Sequence, residues 1–241
     1  MNEILGLDIS NYTGDVSGKL DCYHDAGVRR FIVGCWYASI AHMQIDAIKA
    51  DGRFEFDGTY AYLEWGNGWA EKATNIAIGV ALAHGLRRVW LDCENATGGQ
   101  SASAIQAEIA NCVTLVQNAG LNCGIYTGRY WWESATNNTP DFAHLPLWHA
   151  SYWDDGHFQQ EVDYGGWTKV TVHQYASTPE LCGRKEDRDV WFEQEDEMTA
   201  QEQEELAALR KRRELAELVA DLNKYDEMLL IYNWAVSKGL L

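Results

Sequence analysis

The sequence predicts an α/β fold, an irregular (β/α) barrel of the TIM type, followed by an α-helical, coiled-coil-like tail. Seven short apolar runs, rich in β-branched and aromatic residues, are spaced along about 190 residues and predict buried strands. Segments with helical periodicity lie between several of them, and this alternation favours parallel strands joined by right-handed crossovers. A change of composition after Phe192 predicts the tail.

The predicted strands follow one another at the spacing of strand–helix units. They cover residues 4–9, 30–36, 59–63, 88–93, 122–127, 146–150 and 170–175. The clearest helix is predicted for residues 103–118, with Ser101 or Ser103 as its N-terminal cap and Gly120 at its end. Its apolar face is formed by Ile105, Ile109, Cys112, Val113 and Val116.

An open, doubly wound sheet is the alternative arrangement of the same elements. Such sheets usually carry a glycine-rich first turn that binds a nucleotide. The turn after Ile9, at residues 10–18, lacks the G-x-G-x-x-G pattern. The sequence therefore favours a barrel domain at residues 1–193.

Residues 194–241 are predicted to form a separate helical tail. They are rich in Glu, Ala, Leu and Arg, contain no proline, and have one glycine near the end. Apolar residues recur every three or four positions, as in about three heptads of a coiled coil. They are Leu215, Leu218, Leu222, Tyr225, Leu229, Tyr232 and Val236. Three interpretations stay open: packing on the barrel, homo-oligomerisation through residues 206–236, and docking on another protein.

Charge and composition exclude several classes of partner. The formal net charge of −17 repels phosphate backbones and anionic lipid, so neither nucleic-acid binding nor membrane insertion is expected. No apolar run is long enough to span a bilayer, and the N-terminus lacks the pattern of a secretory signal. We therefore expect synthesis in the cytoplasm without a signal peptide.

The cysteines and histidines predict neither a metal site nor a cofactor. The six cysteines include no C-x-x-C pair, and the seven histidines show no H-E-x-x-H spacing. We expect the cysteines to be small buried residues in a reducing compartment. A serine hydrolase is also disfavoured, because no G-x-S-x-G motif is present.

Two carboxylates at the end of the fourth predicted strand are the strongest catalytic candidates. Asp92 and Glu94 are two residues apart, so in a strand they face the same side, while Leu91 and Cys93 face the other. At the carboxyl end of a barrel strand that side is the mouth of the barrel. Mutual repulsion raises the pKa of at least one of them, as a general acid requires. A surface D-x-E in a loop is the alternative.

Two further carboxylates are predicted at other strand ends. Asp8 ends the first strand, and Asp189 is expected to close the last one. A carboxylate closing an apolar strand is costly unless it faces an opening or has partners. Each could instead cap a turn, so the prediction depends on three strand ends bringing carboxylates to one place.

Aromatic residues are abundant, with eleven Trp and twelve Tyr. The apolar faces of sugar rings pack on aromatic rings, and tyrosine hydroxyls can bond to sugar oxygens. Core packing explains most of these residues, and those at strand ends are the better candidates for a binding site. They are Tyr60, Tyr62, Tyr126, Trp148 and Tyr152.

Five motifs, taken in order, resemble glycoside hydrolase family 25. They are GLDIS at residues 6–10, LDCE at 91–94, GIYT at 124–127, PLWHASY at 146–152, and HQY at 173–175 followed by Asp189. The resemblance covers roughly residues 3–193. It implies an irregular β/α barrel that cuts the β-1,4 bond between N-acetylmuramic acid and N-acetylglucosamine in bacterial peptidoglycan.

The resemblance also implies roles for individual residues. Glu94 would be the general acid, and Asp92 would orient or stabilise an intermediate formed by the 2-acetamido group of the substrate. Asp8 and Asp189 would complete an acidic cleft. Tyr60 or Tyr62, together with Tyr126, would position the sugar, and Trp148, Tyr152 and Gln174 are the other predicted binding residues. Relatives with such tails and no secretion signal are often phage lysins, which reach the wall through a holin or on the virion.

The sequence departs from the family pattern at two places. After the second strand the family usually has an acidic residue followed by glycine, where this chain reads CWYAS at residues 35–39. In the third strand Ala61 takes the place of a histidine. These departures affect the expected substrate subsites more than the catalytic pair.

Two other functions compete with a muramidase. One is a catalytically weak or inactive lysozyme-like module that binds the wall or has a structural role on a virion or oligomer. The other is a chitinase-like hydrolase, which normally shows a longer D-x-x-D-x-D-x-E run. Residues 88–91 before Asp92 read RVWL, which disfavours that class.

Overall fold

The computed structural model describes residues 2–152, 158–177 and 180–193. All of them belong to one compact unit, Met1–Gln194. The predicted coiled-coil tail, its homo-oligomerisation and the predicted domain boundary lie outside the described residues.

Eight strands close into a barrel, in the spatial order β1-β12-β9-β6-β5-β4-β3-β2. These strands are β1 (Asn2–Ile9), β2 (Arg30–Gly34), β3 (Glu55–Tyr62), β4 (Arg88–Asp92), β5 (Asn122–Thr127), β6 (Leu147–Ala150), β9 (Val172–Ala176) and β12 (Asp187–Glu193). Two hairpins interrupt the series: β7 (Glu161–Tyr164) with β8 (Trp167–Lys169), and β10 (Glu180–Leu181) with β11 (Arg184–Lys185).

The described part of the chain contains five α-helices. They are α1 (Leu20–Asp25), α2 (Ala38–Asp51), α3 (Trp69–Ala83), α4 (Ala102–Asn118) and α5 (Arg129–Thr136), with a 3₁₀ turn at Ser17–Lys19. The predicted helix at 103–118 is confirmed as α4. Ser101 caps it by accepting a hydrogen bond from the amide of Ala104 at 3.3 Å, and its predicted apolar residues are buried.

The barrel prediction is confirmed, but the expectation of uniformly parallel strands is wrong at one strand. Adjacent strands from β1 through β6 to β9 pair in parallel, whereas β12 runs antiparallel to both β1 and β9. The short hairpin β10–β11 precedes β12 where a helical crossover was expected. A parallel connection needs a crossover of a dozen or more residues, and a hairpin reverses the chain instead.

Large aromatic rings fill the interior of the barrel, and glycines on neighbouring strands make room for them. The enclosed apolar cluster contains Ile32, Trp90, Tyr126, Trp148, Val172 and Trp191. A Cβ atom on Gly124 would lie 2.3 Å from the Trp90 ring, and one on Gly6 would lie 2.3 Å from the Trp191 ring. The larger apolar cluster combines strand residues with residues of the covering helices. The barrel is therefore closed below its mouth by packed rings.

Asp57 is the centre of a hydrogen-bonded cluster at the end of the barrel where the parallel strands begin. Its carboxylate accepts hydrogen bonds from Arg88 at 2.5 Å and from Trp191 Nε1 at 2.7 Å, while its carbonyl accepts one from Trp90 Nε1 at 3.0 Å. Burial raises the pKa of Asp57, and Arg88 opposes that rise. The ion pair is only partly exposed, with side-chain exposures of 24% for Arg88 and 16% for Asp57.

We expect Asp57→Ala to lower the free energy of unfolding by about 2–3 kcal/mol. The substitution leaves the guanidinium of Arg88 and the indole N–H of Trp191 without their acceptor in a mostly buried position. Chemical denaturation followed by circular dichroism would measure the loss. Asp141→Asn, a change at an exposed carboxylate, is the control. Equal stability of Asp57→Ala and wild type would refute a stabilising role for this cluster.

A disulfide bond joins Cys22 in α1 to Cys182 between β10 and β11, across 160 residues of sequence. The expectation that all six cysteines are reduced is therefore wrong for this pair, while Cys35, Cys93, Cys112 and Cys123 are free and buried as expected. The pairing depends on how the β10–β11 hairpin lies against α1, which residue spacing does not reveal. It also removes the main argument for a reducing compartment.

Breaking this disulfide is expected to lower stability by about 2–4 kcal/mol, because the bond closes a long loop in the unfolded chain. The melting temperature of Cys182→Ser should fall, and a reductant should lower the melting temperature of wild type to a similar value. The reductant should leave Cys182→Ser unchanged, since its remaining partner is already free. An identical melting temperature for oxidised and reduced wild type would count against this contribution.

Within the described ranges, each helix is too short or too polar to cross a bilayer.

Candidate active site

The predicted carboxylate pair lies at the mouth of the barrel. Asp92 ends β4, and Glu94 follows two residues later. Both line one open cavity of about 480 Å³, which we call the acidic cavity. Its other lining residues are Ser10, Asn11, Tyr12, Gly34, Trp36, Tyr60, Tyr62 and Glu64. Asp92 and Glu94 line the same cavity, as a period of two predicts; Asp92 is a buried strand residue, whereas Glu94 lies in the exposed segment that follows β4.

Backbone hydrogen bonds hold the segment that carries this pair. The amide of Leu63 donates to the carbonyl of Asp92 at 3.0 Å, and the amide of Cys93 donates to the carbonyl of Tyr126 at 2.9 Å. The hydroxyl of Thr127 donates to the carbonyl of Cys93 at 2.8 Å. These bonds continue the sheet ladder past the end of β4, so the two carboxyl groups project from a fixed backbone.

Two stacked indoles anchor the residue after Glu94. The rings of Trp65 and Trp131 lie 5.5 Å apart and nearly parallel. Both Nε1–H groups donate to the carbonyl of Asn95, at 3.2 Å from Trp65 and 2.7 Å from Trp131. Sequence reasoning missed this contact, because it joins a loop after β3 to the first helical turn after β5.

The surroundings of the pair favour protonated carboxyl groups. Asp92 is only 5% exposed, and its Oδ1 has no hydrogen-bond partner among the described residues. Burial, followed by the charges of Glu94 and Asp8, raises the pKa of Asp92 well above its usual range. Glu94 is open to solvent on one side, yet partial desolvation of its carboxyl group raises its pKa as well. Both shifts follow from poor solvation of carboxylates that lie close together.

Asp187 is a member of this group that sequence reasoning missed. It begins β12 and pairs directly across from Asp8 in the antiparallel register of β1 and β12. Burial and the charge of Asp187 raise the pKa of Asp8 to about 8. Burial, then the charge of Glu94, raises the pKa of Asp187 to about 6. Asp187 therefore belongs electrostatically to the same cluster as Glu94 and Asp8.

The expectation that Asp189 closes the last strand at the mouth is wrong. Because β12 is antiparallel, its first residue lies nearest the mouth, and Asp189 lies two residues deeper. Its side chain is fully buried and accepts a hydrogen bond from Trp148 Nε1 at 2.8 Å. Burial and the charge of Asp8 raise the pKa of Asp189 well above its usual range. Asp189 therefore lies beneath the cleft and contacts Asp8 from below.

Gln174 connects the buried carboxylate of Asp8 to two tyrosines. Its Nε2 donates to Asp8 Oδ2 at 2.7 Å. Its Oε1 accepts from Tyr126 at 2.8 Å and from Tyr152 at 2.5 Å. The Tyr126 hydroxyl also lies 3.3 Å from Glu94 Oε2. Since Tyr152 already donates to Gln174, the one hydroxyl proton of Tyr126 can turn to Glu94 when that group is ionised.

The predicted sugar-binding residues differ in how far they are exposed at the mouth. Tyr60 and Tyr62 line the acidic cavity, and Tyr152 is 52% exposed on the other side of the mouth. Trp148 and Gln174 are only 1% and 3% exposed, so the prediction that they contact substrate directly is wrong in this structure. Both side chains turn into the barrel, where they hold Asp189 and Asp8. Tyr126 is 4% exposed and reaches the site through its hydroxyl.

Comparison with known proteins gives one family. A family model described as "Lysozyme-like protein 1" matches residues 72–175. The chain is similar to probable GH family 25 lysozyme 3 of Dictyostelium discoideum, with 29% identity over 199 residues, 78% of this chain and 40% of that protein. It is 30% identical over 118 residues to probable GH family 25 lysozyme 2 of the same organism, covering 49% of this chain and 55% of that one. The chain thus spans about half the length, or less, of these curated relatives.

Among solved structures, the fold is similar to that of a family GH25 lysozyme from Aspergillus fumigatus. The TM-score is 0.63 at 22% identity, and the match covers 80% of this chain and 96% of that one. The barrel shared with that structure and the sequence similarity to the two amoebal lysozymes agree with the five motifs of the sequence. In sequence and in fold, the chain is similar to the glycoside hydrolase family 25 lysozymes.

Proposed function

We propose that this barrel is a muramidase, a glycoside hydrolase that cleaves the β-1,4 bond between N-acetylmuramic acid and N-acetylglucosamine in bacterial peptidoglycan. The observation that carries the proposal is that Asp92 and Glu94, both with raised pKa, line one open cavity beside Tyr60 and Tyr62. A structure of a related barrel, the autolysin LytC of Streptococcus pneumoniae, contains a synthetic peptidoglycan ligand. That protein is 17% identical to this chain with a TM-score of 0.63, so it supports the fold.

In this proposal Glu94 is the general acid. Its raised pKa keeps the proton that must pass to the leaving glycosidic oxygen. When the proton leaves, the Tyr126 hydroxyl donates to the new carboxylate and stabilises it. The same carboxylate then takes a proton from the attacking water, which restores the acid.

Asp92 would act on the acetamido group of the substrate. As the bond to the leaving oxygen breaks, the acetamido carbonyl oxygen attacks C1 and forms a cyclic intermediate that carries positive charge. A carboxylate beside the acetamido N–H orients that group and offsets the charge. Asp187, at the edge of the same cluster and with a pKa of about 6, adds negative potential at neutral pH, and Asp189 and Gln174 hold Asp8 in place.

Muropeptide analysis of purified peptidoglycan tests the proposal, with wild type and Glu94→Gln compared side by side. New reducing ends at muramic acid, made by wild type alone, are expected. Reducing ends at glucosamine would keep a hydrolase but refute the proposed bond. An absence of products from several wall types would favour the second candidate, a catalytically inactive wall-binding module.

How the protein reaches a wall is a separate hypothesis. Release through a holin or attachment to a virion stays a prediction from the resemblance, as do cytoplasmic synthesis and homo-oligomerisation through residues 206–236. Light scattering of the full chain and of a truncation after Glu193 would test the last of these. The same mass per particle at equal concentration, after allowance for the missing residues, would refute a coiled coil.

A further inference from the structure

A second cavity, of about 220 Å³, opens beside the acidic cavity and shares Trp36, Tyr62 and Glu64 with it. We call it the aromatic pocket. Its other lining residues are Cys35, Tyr37, Ala61, Trp69, Lys72, Ala73 and Ile76. It lies between α3 and the carboxyl ends of β2 and β3, and is therefore next to the mouth of the barrel.

The pocket is apolar at its base and aromatic at its walls. Cys35 and Ala61 are 3% and 1% exposed, and with Ala73 they leave space because their side chains are small. Trp36 and Trp69 are 44% and 48% exposed, although both are large apolar residues. Exposed aromatic rings that line a concavity are typical of a ligand site. Trp36 packs edge-on against Tyr62 at 5.7 Å, which fixes the shared wall.

Two charged residues, Glu64 and Lys72, line the aromatic pocket at different distances from the acidic cavity. Glu64 lines both cavities and so belongs to the shared wall, whereas Lys72 lines the aromatic pocket and not the acidic cavity. The Lys72 ammonium lies 4.6 Å from the centre of the Trp69 ring, and no carboxylate of the described residues lies within ion-pair distance of it. A ligand that extends from the acidic cavity into the pocket therefore passes a hydrogen-bond acceptor first and meets an exposed cation beyond it.

We infer that the aromatic pocket binds the stem peptide carried by the lactyl group of a muramoyl residue. This inference rests on the proposed function. A sugar ring would bring hydroxyl groups into a base that offers them few partners, which is costly. The start of a stem peptide instead presents methyl groups, an amide N–H that can donate to Glu64, and a carboxylate that can pair with Lys72.

The positive charge of Lys72 also lies close to a strongly acidic part of the molecule. The acidic cavity carries Asp92, Glu94 and Glu64, and among the described residues none with a positive charge lines it. The formal net charge of the chain is −17. An anionic stem is therefore repelled at the mouth unless a cation offsets that field, and Lys72 is placed to do so.

Two matched glycans test the inference, each with alternating N-acetylglucosamine and N-acetylmuramic acid. One carries an L-alanyl-D-glutamate stem on each lactyl group, and the other has free lactyl groups. Wild type should cleave the stem-bearing glycan with the higher kcat/KM. Lys72→Gln and Ala73→Leu should each reduce that preference about tenfold while leaving kcat/KM for the stem-free glycan unchanged. Glu71→Gln, an exposed change on the same helix, is the control and should keep the preference.

A binding measurement separates this inference from the proposed function. Calorimetric titration of wild type with N-acetylmuramoyl-L-alanyl-D-glutamate and with N-acetylmuramic acid should show tighter binding of the first, and Ala73→Leu should abolish the difference. Turnover without any stem preference would overturn the pocket and leave the muramidase standing. Stem-dependent binding without turnover would support the pocket and overturn the muramidase. An equal loss on both glycans in Lys72→Gln and Ala73→Leu would also overturn the stem assignment.

Discussion

Glu94→Gln is expected to lower kcat on peptidoglycan by about a thousandfold, the middle of the range that general acid catalysis supplies. Glutamine keeps the size of the side chain and can still accept the hydrogen bond from Tyr126. It has no acidic proton to give to the leaving sugar oxygen. Release of reducing ends, measured as initial rates, gives kcat, and circular dichroism shows whether the fold is retained.

The control for this substitution is Glu71→Gln, which removes an exposed carboxylate from the first turn of α3. Its rate should equal that of wild type. The pH dependence offers a second check, because wild type must lose activity as pH rises through the pKa of Glu94, which lies above the ordinary 4.5. Near-normal turnover by Glu94→Gln would remove Glu94 from the mechanism and leave the acid to be found elsewhere.

Asp92→Asn should have the second largest effect, a fall in kcat of about a hundredfold or more together with a gain in stability at neutral pH. The fall follows because asparagine cannot offset positive charge on the acetamido group. The gain follows because the folded pKa of Asp92 is raised above its ordinary value of 3.8. The folded state therefore binds the proton more tightly, and its stability is lost as pH rises above that value.

Thermal denaturation at a series of pH values would show this linkage. The variant should be more stable than wild type by about 1–2 kcal/mol at pH 7, as is typical when an active-site charge is removed. The difference should shrink towards zero as pH falls below 3.8, where Asp92 is protonated in the unfolded chain as well. Asp141→Asn serves as the exposed control. A variant less stable than wild type at pH 7 would contradict the assignment of a destabilising buried carboxylate to this position.

The placement of the carboxylate pair could be predicted from sequence because it depends on local geometry alone. An apolar run ending in Asp92, with Glu94 two residues later, places both carboxyl groups on one side wherever the strand lies. The same local reasoning gave α4, whose apolar spacing and serine cap are both within one segment. The start of β3 was not predicted, because Gly58 breaks its apolar pattern. That glycine has φ of +107°, and a Cβ atom there would lie 2.3 Å from the carbonyl of Arg88.

The fourth carboxylate of the cluster could not be chosen from sequence. Asp187 and Asp189 are two residues apart, so both face the same side of β12. The direction of β12 decides which of them lies at the mouth. A parallel strand would place the later residue there, and the antiparallel strand places Asp187 there instead. The burial of Trp148 and Gln174 has a related cause, since a residue at a strand end can turn towards solvent or into the barrel. Partners far apart in sequence, Asp189 and Asp8, determine which it does.

The sequence by itself was enough to predict the barrel class, the resemblance to a lysozyme family, the carboxylate pair after β4 and the acidic character of the chain, because each is encoded in short-range pattern or in composition. Only the tertiary structure decided the antiparallel closure at β12, the place of Asp187 beside Asp8, the Cys22–Cys182 bond and the aromatic pocket beside the acidic cavity. The physical reason is that each of these depends on contacts between distant segments. Such contacts form when the strands close into a barrel, and they cannot be predicted from residue spacing along the chain.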